Sequence, residues 1–418
     1  TVAFVDLPGH QRFLSNMLAG ATSVATALLV VGADDGPMPQ TAEHLEILDL
    51  LGVRRAVVAL TRIDLVDDGT VELAGELVDE LLAATSLAGA PIVAVSAVEG
   101  TGMDTLRSVL RDVLAATPAE ADVGRPRLWI DRAFTMRGAG TVVTGTLREG
   151  SLAVDDEVLL APGDRPFRIR GLQSLGEPIA RAAPGGRVAV NLVGRAPAAR
   201  GDALVLPGQW LPDVTVVEAV VRALPGRSVR RRGDWHLHCG SGEWRVELRP
   251  IDAAEIDGGD EGTVRVELSG PLPLAPGDRF VLRESGQRST IGGGVVLDVA
   301  PARAARGTVG RVERDGRLRE RRAALDRGDR TALAVDHVGA HGLVALRDLP
   351  GLVGQRPGAA PDERLLRLGA HYVDAAAAAG WRDAVVAAVA AAHRDHPLER
   401  AAGREIAARA AADAGCPG

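Results

Sequence analysis

Val2-Ala3-Phe4-Val5-Asp6-Leu7-Pro8-Gly9-His10 is the stretch on which the reading of this chain turns. A short apolar run ended by a turn is the pattern of a buried parallel strand. Asp6 then stands at the strand's carboxyl end, the edge at which open α/β sheets place their ligand chemistry. An aspartate there can hold a Mg²⁺-bound water, and Gly9 lets backbone approach a phosphate that a side chain would block. His10 follows at the mouth of such a site, able to orient a water. Taken alone, the same residues are equally an ordinary Pro-Gly turn, so segments further along must decide. No Gly-x-x-x-x-Gly-Lys-[Ser/Thr] loop stands before the run, and all 48 basic residues are arginine. A lysine-bearing phosphate loop is therefore not part of these 418 residues.

Two more segments fall where a guanine site needs them. Val57-Val58-Ala59-Leu60 is a second apolar strand, followed directly by Thr61-Arg62-Ile63-Asp64. A carboxylate at that strand end accepts both hydrogen bonds from the N1 and N2 edge of guanine, which adenine cannot offer. Buried polar groups left unpaired by the wrong base make such a site selective. The aliphatic stem of Arg62 can cover one face of the base. A third strand, Ile92-Val93-Ala94-Val95, runs into Ser96-Ala97-Val98-Glu99-Gly100-Thr101-Gly102, a turn whose backbone N–H groups can meet the guanine O6. Each segment is common by itself; the three in this order, each after an apolar strand, are not.

Asp6–His10, Thr61–Asp64 and Ser96-Ala97 resemble the third, fourth and fifth motifs of translational GTPases of the EF-Tu type. The likeness is closer to the selenocysteine-specific elongation factors within that family. Phe13–Gly20 and Asp34–His44 are similar to the segments that follow in those proteins, and Thr61 replaces the usual Asn as it does on that branch. Ile130–Phe134, Gly138–Gly145 and Ile291–Asp298 carry the similarity across nearly the whole chain.

The resemblance implies a multidomain fold: an α/β P-loop-type GTPase domain with its N-terminal part missing (1–120), two antiparallel β-barrels (125–208 and 211–300), and an incomplete helical winged-helix region (301–418). It implies GTP and Mg²⁺ as cofactors, held by Asp6, Gly9, Thr61, Arg62, Asp64, Ser96 and Ala97. Asp6 would meet Mg²⁺ through water, and His10 would be catalytic. Asp131, Arg132 and Arg187 match the positions that would line a selenocysteinyl pocket; a surface salt bridge between Asp131 and an arginine is the plainer alternative. The implied partners are selenocysteinyl-tRNA and the ribosome, with the selenocysteine-insertion mRNA hairpin reached only through missing C-terminal modules. A cytoplasmic monomer without membrane contact is expected, and as it stands the chain is expected to bind GTP weakly and to turn none over. Two other readings stay open: a degenerate, non-hydrolysing tRNA- or RNA-binding module, and a general aminoacyl-tRNA carrier.

Composition fits a chain of three or four domains. Residues 1–124 hold 6 Arg against 18 Asp and Glu, a balance of −12, whereas residues 125–300 stand at +1 and the remainder at +4. A polyanionic partner therefore suits the central and C-terminal parts better. Cys239 and Cys416 are too few for a disulfide framework or a zinc site. The Ala-rich stretch 375–392 is interrupted by Gly380, Arg382 and Asp383.

The periodicity predicts helices over Gln40–Leu51, Thr70–Ala84 and Met103–Ala115, alternating with strands. From Leu128 the period becomes two, with short strands separated by Gly, Asp and Pro up to Val299, the pattern of barrels. Pro-Gly-Asp at 162–164 and again at 276–278 marks equivalent hairpin turns. His236 and His238 alternate on one strand face and are expected to be packed or solvated rather than metal-bound. In the tail, Thr331–Gly339, Leu346–Gly354 and Asp362–Leu368 are expected helices, Ala370–Asp374 a strand, and Ala375–Ala392 and Gly403–Ala412 two further helices.

Overall fold

The computed structural model describes the chain apart from residues 1–3, 8–16, 19, 21–23, 137–139, 212–213, 252, 286–288, 303–307, 355–361, 396–402 and 417–418. The N-terminal unit is built on three parallel strands, β1 (Ala27–Gly32), β2 (Ala56–Thr61) and β3 (Ile92–Ala94), in the order β1-β2-β3. β2 is central, and its run Ala-Val-Val-Ala-Leu is buried on both faces, which is why it reads as uniformly apolar. The connecting helices are α1 (Pro39–Leu50), α2 (Asp68–Ala83) and α3 (Met103–Ala116), close to the expected spans. Asp67 starts α2 by accepting the Thr70 amide at 2.8 Å, and Ala74, Val78 and Leu82 form the stripe turned to the sheet. α3 covers the other face through Leu106.

One expectation in this unit is corrected by the fold. The run from Val2 to Val5 is not a buried strand where it is described: Phe4 and Val5 belong to no strand and are exposed, Phe4 by 71%. No described strand pairs with them, and an apolar sequence without a ladder does not become a strand. Conversely β1, Ala-Leu-Leu-Val-Val-Gly, is a strand that the spacing of motifs passed over.

The first barrel consists of β4 (Arg127–Met136), β5 (Gly140–Arg148), β6 (Glu157–Ala161), β7 (Pro166–Ser174), β8 (Arg187–Leu192) and β9 (Ala203–Val205). They follow the order β8-β5-β4-β9-β6-β7, and β7 pairs back on β8 to close the ring. Along β5 every second residue is buried, as a barrel wall requires. The second barrel is closed likewise by β10 (Val216–Ala223), β11 (Trp235–Cys239), β12 (Gly242–Pro250), β13 (Glu261–Leu268), β14 (Arg279–Glu284) and β15 (Ser289–Asp298), in the order β10-β13-β12-β11-β14-β15.

The units are joined by specific contacts. α1 lies on the second barrel, where Leu224 and Val281 enter the apolar core of the α/β unit. Asp49 there pairs with Arg222, and Arg279 donates to the Leu50 carbonyl at 3.3 Å. Between the barrels, Arg127 of β4 grips Asp278 with both terminal nitrogens, at 2.6 and 2.5 Å, and Glu149 at 2.9 Å. Arg125 lies 3.4 Å over the Trp210 ring and bonds Glu149 at 3.0 Å. Arg330 reaches the same place from the C-terminal region, donating to the Pro276 carbonyl at 2.9 Å. The two Pro-Gly-Asp turns thus differ: Asp164 is exposed, whereas Asp278 sits at a three-way joint.

After the barrels, α4 (Thr308–Asp326) is a helix whose polar sequence hid its bounds. Its arginines turn inward onto barrel carboxylates: Arg314 pairs with Glu218, and Arg317 with Asp298 at 2.6 Å. Then follow α5 (Arg330–His341), β16 (Leu343–Ala345), α6 (Leu349–Val353), β17 (Leu365–Leu368), β18 (His371–Asp374), α7 (Ala375–Asp395) and α8 (Arg404–Asp413). The three strands form a small antiparallel sheet in the order β16-β18-β17. The helix expected over Asp362–Leu368 is not formed, and the second half of that stretch is strand β17. Leu366 and Leu368 face Val373 and His371 across a tight turn at Gly369 (φ 59°), and the ladder outweighs a helix preference that four residues express weakly. α7 is long and apolar enough to cross a membrane by length and composition alone; it carries Arg382 and Asp383 and packs against α8, β17 and β18.

Candidate functional site

The carboxyl ends of β1, β2 and β3 open on one edge of the sheet, because the strands are parallel and in register. Thr61 ends β2, and its hydroxyl donates to the Val31 carbonyl of β1 at 3.2 Å, tying the two strand ends together. Arg62 follows in the left-handed region (φ 62°), and Ile63–Leu65 make one tight helical turn that exposes Asp64. The Asp64 carboxylate has no ion-pair or hydrogen-bond partner among the described residues.

Ser96 is fully buried and builds its turn rather than facing a ligand. Its hydroxyl accepts from the Glu99 amide at 3.1 Å, its amide donates to the Thr101 carbonyl at 3.0 Å, and its carbonyl accepts from Gly100 at 2.9 Å. Ala97, next along, is exposed, and its amide has no partner among the described residues. Gly102 closes the turn at φ +73°; a Cβ there would stand 2.1 Å from the Ala94 carbonyl oxygen, so only glycine fits. An acceptor-only carboxylate suits the guanine N1–H and N2–H donors, and an open amide suits its O6 acceptor.

Asp6 is described and exposed, while Gly9 and His10 lie outside the described residues. Sequence reading missed Asp34 and Asp35 as part of this edge. Both ion-pair with Arg62, at 2.8 and 2.9 Å. The signal was the adjacent carboxylate pair just after an apolar run.

A second constellation stands on the first barrel. The ladder between β4 and β5 shifts register between Ile130 and Arg132, leaving Asp131 as an extra residue. Ile130 points into the barrel, Asp131 and Arg132 both point out, and Ala133 turns in again. Without that bulge, alternation would drive Arg132 into the core. Arg187 on β8 faces outward on the opposite flank of β5, so both arginines share one face with Thr144 between them. Arg187 pairs with Asp131 at 2.9 Å, and the Thr144 hydroxyl donates to the same carboxylate at 2.5 Å. Arg132 is exposed and makes no ion pair among the described residues.

His236 and His238 both approach Glu243: His236 Nδ1 at 2.7 Å and His238 Nδ1 at 3.9 Å. Burial pushes His238 down to about 4, against the opposing pull of Glu243. Among the described residues no three metal-ligating side chains stand together.

The model of the "Elongation factor Tu GTP binding domain" matches residues 1–116, and that of the "Selenocysteine-specific elongation factor, beta-barrel domain" matches residues 220–303. The selenocysteine-specific elongation factor of Desulfomicrobium baculatum is 38% identical over 300 residues, 71% of this chain and 47% of that protein. That of Escherichia coli (strain K12) is 34% identical over 413 residues, 96% of this chain and 63% of that protein. Elongation factor Tu 2 of Streptomyces avermitilis is 33% identical over 317 residues, 71% of this chain and 80% of that protein. The chain thus spans about half to two thirds of the selenocysteine-specific relatives' length. In fold it is similar to a crystal structure of a bacterial selenocysteine-specific elongation factor, EF-Sec, with TM-score 0.74 at 24% identity over 93% of this chain and 63% of the other. SelB from Methanococcus maripaludis, in complex with the GTP analogue GPPNHP, gives TM-score 0.62 at 25% identity over 71% and 70%. The motifs, the two closed barrels and these likenesses agree: the chain belongs to the elongation factor Tu family of translational GTPases, on its selenocysteine-specific branch.

Proposed function

We propose that the chain carries selenocysteinyl-tRNA to the ribosome under the control of a guanine nucleotide, with the amino acid read on the outer face of the first barrel. The bulge at Asp131 is the observation that carries this reading. It places two guanidiniums and one carboxylate on a single face, a constellation with one positive charge in excess. A selenol is ionised near neutral pH, while serine's hydroxyl is not, so that excess charge selects the selenolate. Asp131 holds Arg187 in place and leaves Arg132 for the cargo. Support for the nucleotide comes from the shared edge of β1, β2 and β3, where Asp64 and the Ala97 amide would read the base and Arg62 would flank it. Asp6 would face Mg²⁺ through a water, and His10 would orient the attacking water. Bound GTP with Mg²⁺ supplies the driving force that hydrolysis on the ribosome releases. The exposed run Arg230-Arg231-Arg232 on the second barrel offers positive charge to the tRNA backbone.

Filter binding of selenocysteinyl- and seryl-tRNA to the full-length protein tests the reading. Arg132→Ala or Arg187→Ala removes a charge-assisted contact of roughly 1.5–3 kcal/mol, which is about one to two decades in affinity. The loss is expected for selenocysteinyl-tRNA and not for the seryl form. Equal losses for both would mean that these arginines hold tRNA backbone and that selection lies elsewhere.

A further inference from the structure

Arg62 is held at its head by two carboxylates. Its Nη1 lies 2.8 Å from Asp34 Oδ2 and its Nη2 lies 2.9 Å from Asp35 Oδ2, both from the loop that leaves β1. The guanidinium is seated over Gly32, where a Cβ would come within 2.0 Å of Nη2, so the last residue of β1 leaves room for it. The loop itself is fixed by the Gly36 amide, which donates to the Gly32 carbonyl at 2.9 Å. At the other end, Arg62 sits in a left-handed backbone conformation that a side-chain-bearing residue keeps only when its surroundings hold it. Thr61, one residue earlier, is tied to the same strand through the Val31 carbonyl. Both ends of Arg62 are therefore anchored to the end of β1, and Asp64 follows two residues on in the same tight turn.

We propose that Asp34 and Asp35 are positioning residues of the base pocket: they clamp the head of Arg62 so that its stem stands as a fixed wall for the purine. They also neutralise the guanidinium, which leaves the Asp64 carboxylate to the base instead of to its near neighbour in sequence. This rests on the guanine-nucleotide reading given above. A planar guanidinium spans two carboxylates at once, and a lysine ammonium at the same position does not hold both in a fixed geometry.

The test is titration of a fluorescent methylanthraniloyl-GDP into the full-length protein, with thermal unfolding of each variant as a check of folding. Exposed ion pairs of this kind are modest, so Asp34→Asn or Asp35→Asn alone weakens binding about two- to fivefold, and the double variant roughly five- to tenfold. Arg62→Lys falls with the single variants. In an Arg62→Ala background, adding Asp34→Asn and Asp35→Asn changes affinity no further, because the aspartates act only through Arg62. Double-variant affinity equal to wild type overturns the clamp, as does an equal loss in the Arg62→Ala background, which would mean that the aspartates meet the nucleotide or its metal directly. A folded wild-type protein that binds no guanine nucleotide would instead overturn the underlying reading.

Discussion

At the scale of single residues, the molecule hides charge and polarity where the apolar pattern gives no hint of it. His337 on α5 is buried, its Nδ1 has no hydrogen-bond partner among the described residues and stands 4.0 Å from Asp298 on β15, and its ring stacks on His341 at 4.0 Å between centroids. Burial pushes it down to about 3; Asp298 opposes that shift, while His341, Arg321 and Arg317 add to it. The sign of the linkage follows. Between about 6.5 and about 3 the unfolded chain takes up a proton on this histidine and the folded chain does not. Stability is therefore full above the ordinary histidine value and falls as pH drops, by up to about 1.4 kcal/mol per pH unit for this group. Urea unfolding between about pH 6 and pH 4 should show a slope in the wild type that His337→Gln reduces by one proton. An unchanged slope would mean that His337 takes a proton in the folded state.

At the scale of elements, turns and irregularities set the sites more than the regular strands do. The turn from Ser96 to Gly102 contains two left-handed glycines of unlike importance. A Cβ on Gly100 (φ +80°) meets open space, whereas one on Gly102 meets a backbone carbonyl. Gly100→Ala should cost about 1 kcal/mol, the ordinary penalty of that conformation. Gly102→Ala adds a clash that only backbone movement relieves and should cost roughly 3 kcal/mol or more. Equal midpoints for the two variants in denaturant unfolding would show that the strand end yields readily. The bulge at Asp131 belongs to the same class: one extra residue in β4 exchanges which face an arginine occupies.

At the scale of the whole molecule, the barrels and the helical region meet at the Asp278 turn. Burial opposes the charge on Asp278, yet Arg127 and the turn's own Ala275 amide hold its carboxyl below the usual range. The same partnership with Asp278 and Glu149 keeps Arg127 above its ordinary value in spite of burial, while burial draws neighbouring Arg125 down to about 10. Removing Arg127 leaves the buried Asp278 carboxylate without its ion-pair partner, so Arg127→Met should cost roughly 3–5 kcal/mol, whereas Asp278→Asn leaves Arg127 paired with Glu149 and should cost less. The double variant removes both charges, and the carboxamide oxygen that replaces the carboxylate can still accept the Ala275 amide, so its loss should be well below the sum. Additive losses in urea unfolding would show that the pair is not coupled across the joint.

Much of this was written locally. The carboxylates after β2, the turn after β3, the period-two strands of both barrels and most of the helices follow from neighbours in sequence, because apolar spacing and turn residues act within a few positions. Thr61-Arg62-Ile63-Asp64 and Asp131-Arg132 could be picked out by motif, but not what holds them. The exposed end at Phe4-Val5, the strand at Leu365–Leu368 and the inward arginines of α4 depend on which other segments the folded chain does or does not bring against them. The clamp of Asp34 and Asp35 on Arg62 and the grip of Arg127 on Asp278 are of the same kind. Local sequence sets what each segment can become; only the folded chain decides which partner it meets, because burial and charge pairing are properties of neighbours in space.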